Sequence, residues 1–259
     1  GEEMFVTEGA IGTKGDVFYT AESPRNGARE AHVAVNYTPS NRTTAQLSLR
    51  HGNNITDDET KVNGVDGTST TQVRPAIKYN AGRYNLAAAY QYKKSETAAA
   101  ANATDMTVVG HTSTIAAGEA TNTTENGFVG SVGTKIGRAN VRLSASTGTV
   151  EVEDTNSTSR DNEYKRSAVG LAADVGRGLE LGFVTSTDEL DNPATDANKY
   201  ERTAQAFYAD YTRPLLGVKG AKITYSAGVG EVETTNGNGA NATTSEDLEH
   251  LGVRVKYSF

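Results

Sequence analysis

The last ten residues set the strictest condition on how this chain folds. Leu251, Val253, Val255, Tyr257 and Phe259 occupy alternate positions, with His250, Gly252, Arg254, Lys256 and Ser258 between them. Successive side chains of a strand point to opposite faces, so this segment reads as a strand with one apolar and one basic face. Charges repeated between aliphatics are costly in a close-packed core, where each needs a partner. A wall with lipid on one side and water on the other accommodates both faces.

The same period recurs upstream. Val33, Val35 and Tyr37 alternate with His32, Ala34 and Asn36, and Ala45, Leu47 and Leu49 with Gln46, Ser48 and Arg50. Val73, Pro75, Ile77 and Tyr79 oppose Arg74, Ala76 and Lys78; Tyr84, Leu86, Ala88 and Tyr90 oppose Asn85, Ala87 and Gln91. Further strands centre on Phe128–Ile136, Val141–Ala145, Val169–Val175, Leu179–Phe183, Phe207–Tyr211 and Ile223–Val229. A first strand near Asp16–Glu22 is less regular, because Val17, Phe18 and Tyr19 do not alternate. The pattern predicts an all-β, antiparallel up-and-down transmembrane barrel of about twelve strands, with fourteen or sixteen as alternatives, in one domain spanning residues 1–259.

Connector lengths support this topology. Short links near residues 38–42, 80–83, 137–138, 176–178 and 213–220 alternate with long polar stretches at 51–69, 95–125, 153–164, 188–199 and 233–247. Short turns at one end and long loops at the other are expected of an outer-membrane barrel. Tyr37, Tyr79, Tyr84, Ile136, Tyr211, Tyr257 and Phe259 lie near the short turns on the apolar face, where an aromatic girdle belongs. The mean hydropathy of −0.53 fits a wall in which only alternate residues meet lipid. No run approaches the roughly 20 apolar residues of a transmembrane helix. The chain lacks cysteine, which excludes disulfides and thiolate chemistry. A net charge of −7 argues against nucleic acid as a partner.

The closing run Gly252-Val253-Arg254-Val255-Lys256-Tyr257-Ser258-Phe259, ending in an aromatic residue, resembles the final strand of the Gram-negative outer-membrane porins. The hairpin segments Tyr84–Tyr92 and Leu179–Ser186, with glycine-containing turns before them, are similar in texture. The resemblance implies a bacterial outer-membrane channel for passive diffusion of small polar solutes and ions. It implies contact with outer-membrane lipid and lipopolysaccharide, as a monomer or homotrimer, without cofactor or catalysis. The terminal aromatic would help the barrel-assembly machinery recognise the chain. The chain is shorter than the 16-stranded general porins: it is either a smaller channel or a larger porin lacking its first strands.

The polar faces define the expected pore lining. Arg50, Arg74, Lys78, Arg142, Arg166, Arg202, Lys222, Arg254 and Lys256 stand against Asp174, Glu180 and Asp210; Lys93, Lys135 and Asp188 share those faces. A basic lumen attracts anions in a pore with low-dielectric walls, so a mild anion preference is expected. The segment 95–125 carries Ala98–Ala101 and Met106-Thr107-Val108-Val109, and is expected to fold inward as a constriction or to form a short hairpin above the rim. If it folds inward, Asp105 and Glu119 would neutralise part of the wall.

Two competing functions are a surface-adhesive barrel or phage receptor, built on acidic Thr/Asn-rich loops, and a barrel enzyme. His51 and Asp57-Asp58 lie at the long-loop end, but no nucleophile accompanies them. His32, His51, His111 and His250 lack metal-ligand spacing, and Asp57-Asp58-Glu59 lacks the spacing of a calcium loop. No catalytic or metal-binding residue is assigned.

Overall fold

The computed structural model describes residues 30–53, 68–97, 104–108, 111–115, 121–154, 162–190, 200–218, 220–236 and 242–257. Eleven strands form one sheet: β1 (Glu30–Ser40), β2 (Thr43–Asn53), β3 (Thr68–Ala81), β4 (Tyr84–Thr97), β7 (Thr121–Ile136), β8 (Ala139–Asp154), β9 (Asn162–Gly176), β10 (Leu179–Leu190), β11 (Tyr200–Pro214), β12 (Ala221–Asn236) and β13 (Ala242–Tyr257). Each pairs antiparallel with its neighbour in this order. A separate hairpin, β5 (Thr104–Val108) with β6 (His111–Ile115), rises from the long connector between β4 and β7. The expected first strand near Asp16–Glu22 lies outside the described residues, and β1 and β13 are the edges of the described sheet.

The apolar face points outward. Val33, Val35, Ile77, Leu86, Phe128, Leu171, Phe207, Val229, Leu251 and Val253 are all exposed, Phe128 by 61%. A continuous band of exposed large apolar side chains is the surface that a barrel wall presents to lipid. Tyr37, Tyr79, Tyr84 and Tyr211 are exposed on this face beside the short turns, as an aromatic girdle requires. Tilted ring pairs, Tyr90 with Phe128 and Phe183 with Phe207, each 4.7 Å between centroids, tie neighbouring strands across the band. Backbone pairing along every shared edge satisfies the peptide groups that lipid cannot. This is the wall of a transmembrane β-barrel of the outer-membrane type.

Strands of up to 16 residues are longer than the membrane needs. At about 3.3 Å per residue and about 40° tilt, 16 residues rise about 40 Å, against a band about 25 Å tall. The surplus stands beyond the bilayer at the long-connector end, where the amphipathic phase inverts. On β8 Val141 and Leu143 face outward, but further along Val150 and Val152 face inward with Glu151 outside. Tyr164, Leu190, Tyr200, Val232 and Leu248 repeat the inversion on β9 to β13, opposite Glu163, Glu189, Glu201, Glu231 and Glu249. Above the lipid the outer side of the wall meets water, so the apolar residues turn inward and pack against one another as in a soluble sheet.

The turns are tight. Gly176, Arg177 and Gly178 all have positive φ, and Gly178 has no room for a side chain, since a Cβ there would overlap the Thr212 carbonyl oxygen. Gly178 O in turn accepts a hydrogen bond from Thr212 N at 2.7 Å.

Candidate functional site

The inner wall carries the chemistry. Cross-strand register places Arg50, Arg74, Lys78, Arg142, Arg166, Arg202, Lys222, Arg254 and Lys256 on the inward face, together with Asp174, Glu180 and Asp210. Lys256 is placed by its backbone opposite Lys222; its side chain, like that of His32, lies outside the described residues. Among the described inward side chains Lys and Arg outnumber Asp and Glu, the acids being Glu125, Asp174, Glu180, Asp188, Asp210 and Glu246.

These charges fall into sectors. At the short-turn end Asp174, Glu180 and Asp210 stand directly abreast on β9, β10 and β11. Like charges directly opposite repel, so local donors matter. Asp174 accepts hydrogen bonds from Gly176 N at 2.9 Å and Asn140 Nδ2 at 3.5 Å, and Glu180 accepts one from the Tyr208 hydroxyl at 3.2 Å. Asp210 Oδ1 is buried without a hydrogen-bond partner among the described residues. Basic residues flank this acidic sector: Lys78 and Arg142 on one side, Lys222 and Arg254 on the other.

Further along the wall the cations are tied to acceptors. Arg74 Nε donates to Gln91 Oε1 at 3.0 Å, and Gln72 Nε2 donates to the same oxygen at 3.0 Å. Lys93 Nζ lies 3.0 Å from Glu125 Oε1, and Arg166 Nε lies 2.9 Å from Asp188 Oδ1. The Glu125 partnership is absent from the sequence reading, which assigns that residue to a loop. Strands β4 and β7 run to Thr97 and from Thr121, and their ends are polar on both faces, so no alternation marks them in the sequence.

Above Arg166 and Asp188 the inner wall is apolar and close-packed: Val150, Val152, Tyr164, Leu190 and Tyr200 form one cluster, with Tyr164 only 1% exposed. The sequence signal for it was the change of alternation phase between Ala145 and Val150. Among the described residues no group of histidine, aspartate and glutamate side chains converges as a metal site.

No protein-family model and no curated protein sequence matches this chain. Solved structures that resemble it include the siderophore receptor PiuA from Acinetobacter baumannii, at 8% identity and a TM-score of 0.47, covering 88% of this chain and 44% of that one. The ferric-catecholate import receptor Fiu from E. coli, open form, is 11% identical with a TM-score of 0.45 and coverages of 88% and 49%. OmpT, an outer membrane protein of Vibrio cholerae, is 14% identical with a TM-score of 0.40 and coverages of 88% and 87%. The chain therefore spans about half the length of the two receptors. With every score below 0.5, the fold assignment rests on the strand register and the exposed apolar band themselves.

A polar surface with separated cationic and anionic sectors sets up a field across the water beside it, and low-dielectric walls concentrate that field.

Proposed function

We propose that this chain is a porin-like channel of the bacterial outer membrane, through which small polar solutes diffuse passively with a preference for anions. One observation carries the reading: a sheet with an exposed apolar band outside has an inner wall on which described basic side chains outnumber acids. A charged inner face of this kind is stable where water wets it. The reading involves no catalysis and no cofactor. Its partners are lipid and lipopolysaccharide outside and small polar or anionic solutes within, in a monomer or homotrimer.

The test is single-channel conductance in a planar bilayer, with the reversal potential read under a salt gradient. A steady open current that reverses on the anion side supports the proposal. An open current with cation preference keeps the channel and removes its selectivity. A folded barrel that passes no current removes the channel itself. That last outcome would favour an adhesive barrel, a reading drawn from the outward acids Glu151, Glu163, Glu189, Glu201 and Glu231 on the strand ends beyond the apolar band.

A further inference from the structure

At the short-turn end of β2, β3, β4, β7 and β8 the inner wall opens into a cavity of about 400 Å³. Its lining includes Arg42, Lys78 and Arg142 with Thr44, Asn85 and Ser131, and contains no carboxylate. Two adjacent inward rows build it. Lys78, Ala87 and Ser131 stand abreast in one, and Asn85, Gly133 and Arg142 in the next. Long cationic side chains therefore border a floor of small ones. Lys78 on β3 and Arg142 on β8 are three strand spacings apart, about 14 Å along the wall.

Two features separate this hollow from the rest of the wall. Lys93 and Arg166 each lie within 3.0 Å of a carboxylate. By contrast, Arg42, Lys78 and Arg142 make no ion pair among the described residues. The nearest inward acids, Asp174 and Glu180, are outside the lining, although Asp174 on β9 stands diagonally beside Arg142. Concentrated positive charge over a low-dielectric wall lowers the free energy of an anion there, and amide and hydroxyl groups supply directional hydrogen bonds.

We infer that this cavity is a saturable binding subsite for a small organic anion bearing two or more negative charges and hydroxyl groups, the class of hydroxylated tricarboxylates and sugar phosphates. A single-charged ion is too small to engage cations set on strands this far apart, whereas a multiply charged one bridges them. The subsite deepens the channel reading, from which it takes the water-filled lumen: solute would pause at this mouth rather than pass at a rate proportional to concentration alone.

Citrate is the probe, titrated calorimetrically into detergent-folded full-length protein at low salt, with chloride as the single-charged comparison. Saturable binding is expected at about 1 mM or tighter. It should weaken as salt shortens the screening length. Lys78→Gln with Arg142→Gln should weaken it by about tenfold or more. The charge-preserving exchange Lys78→Arg with Arg142→Lys should stay within about threefold, which excludes misfolding as the cause. Lys94→Gln with Lys165→Gln, which removes two outward lysines, should leave binding unchanged. Absence of saturable citrate binding overturns the subsite, as do binding indifferent to the Lys78 and Arg142 pair and equal loss in the outward pair. Conductance of the same preparation separates the two readings. Protein that conducts and never binds citrate loses the subsite alone, whereas protein that binds citrate here and never conducts loses the channel alone.

Discussion

Tyr208 lies across Gly182, its direct cross-strand partner on β10, so closely that a Cβ on Gly182 would overlap the ring at Cε1 and Cζ. From there the phenol reaches diagonally to Glu180 Oε1, 3.2 Å away. The glycine thus makes room for the aromatic ring that supplies a donor to the middle carboxylate of the acidic sector. Gly182→Ala is expected to displace the ring and cost about 1–3 kcal/mol, the usual range for overpacking. Urea unfolding from lipid vesicles checks it. Gly182→Ala at full stability would mean that the ring moves freely.

The inversion of phase along β9 gives a second expectation, because it locates the membrane edge. Leu171 faces outward within the apolar band, and Ser167 faces outward four residues nearer the long connector. Leu171→Arg should cost about 2–4 kcal/mol in a bilayer, and Ser167→Arg about 0–1 kcal/mol, since the penalty for a lipid-facing cation falls toward the interface. Equal costs at the two positions would displace the edge assigned here.

Tyr164 tests the packed cluster at the long-connector end. With 1% exposure and Val150, Val152, Leu190 and Tyr200 around it, it behaves as a core residue rather than as the lining of a wet lumen. Tyr164→Ala should therefore cost about 3–5 kcal/mol, as large-to-small changes in cores do. A loss under about 1 kcal/mol would show that water already reaches the ring.

Asp188, 2% exposed, lies 2.9 Å from Arg166 Nε and directly opposite Arg202 in the register. Removing one member of a buried pair leaves the other charge in a poor environment. Asp188→Ala is expected to destabilise by about 3 kcal/mol or more, and Asp188→Asn by less, because an amide oxygen still accepts from the guanidinium. Denaturation midpoints at matched ionic strength decide it. A loss in the range of exposed pairs, about 0–1 kcal/mol, would place this ion pair in open water.

How much of this was legible beforehand is best seen on single strands. On β12 the alternation of Ile223, Tyr225, Ala227 and Val229 with Lys222, Thr224, Ser226 and Gly228 determined which face meets lipid, because a shift of one residue would reverse every side chain. The same reasoning put the residues from Arg50 to Lys256 on the face opposite the apolar band, and the strand register sets them on one common face. It failed where the alternation ends. Glu125 was read as loop although it pairs with Lys93, and Val150 and Val152 went unassigned although they are core.

The sequence by itself determined the strand period, the face of each residue within the bilayer and the two ends of the wall, because lipid on one side and water on the other leave one arrangement of alternating residues. Only the tertiary structure decided which residues meet across strands. Neighbours such as Asp174, Glu180 and Asp210, or Lys78 and Arg142, come from distant parts of the chain and are brought into rows by register. Their charges act through space over a few ångströms, so the field at the wall depends on that register and not on their order along the chain.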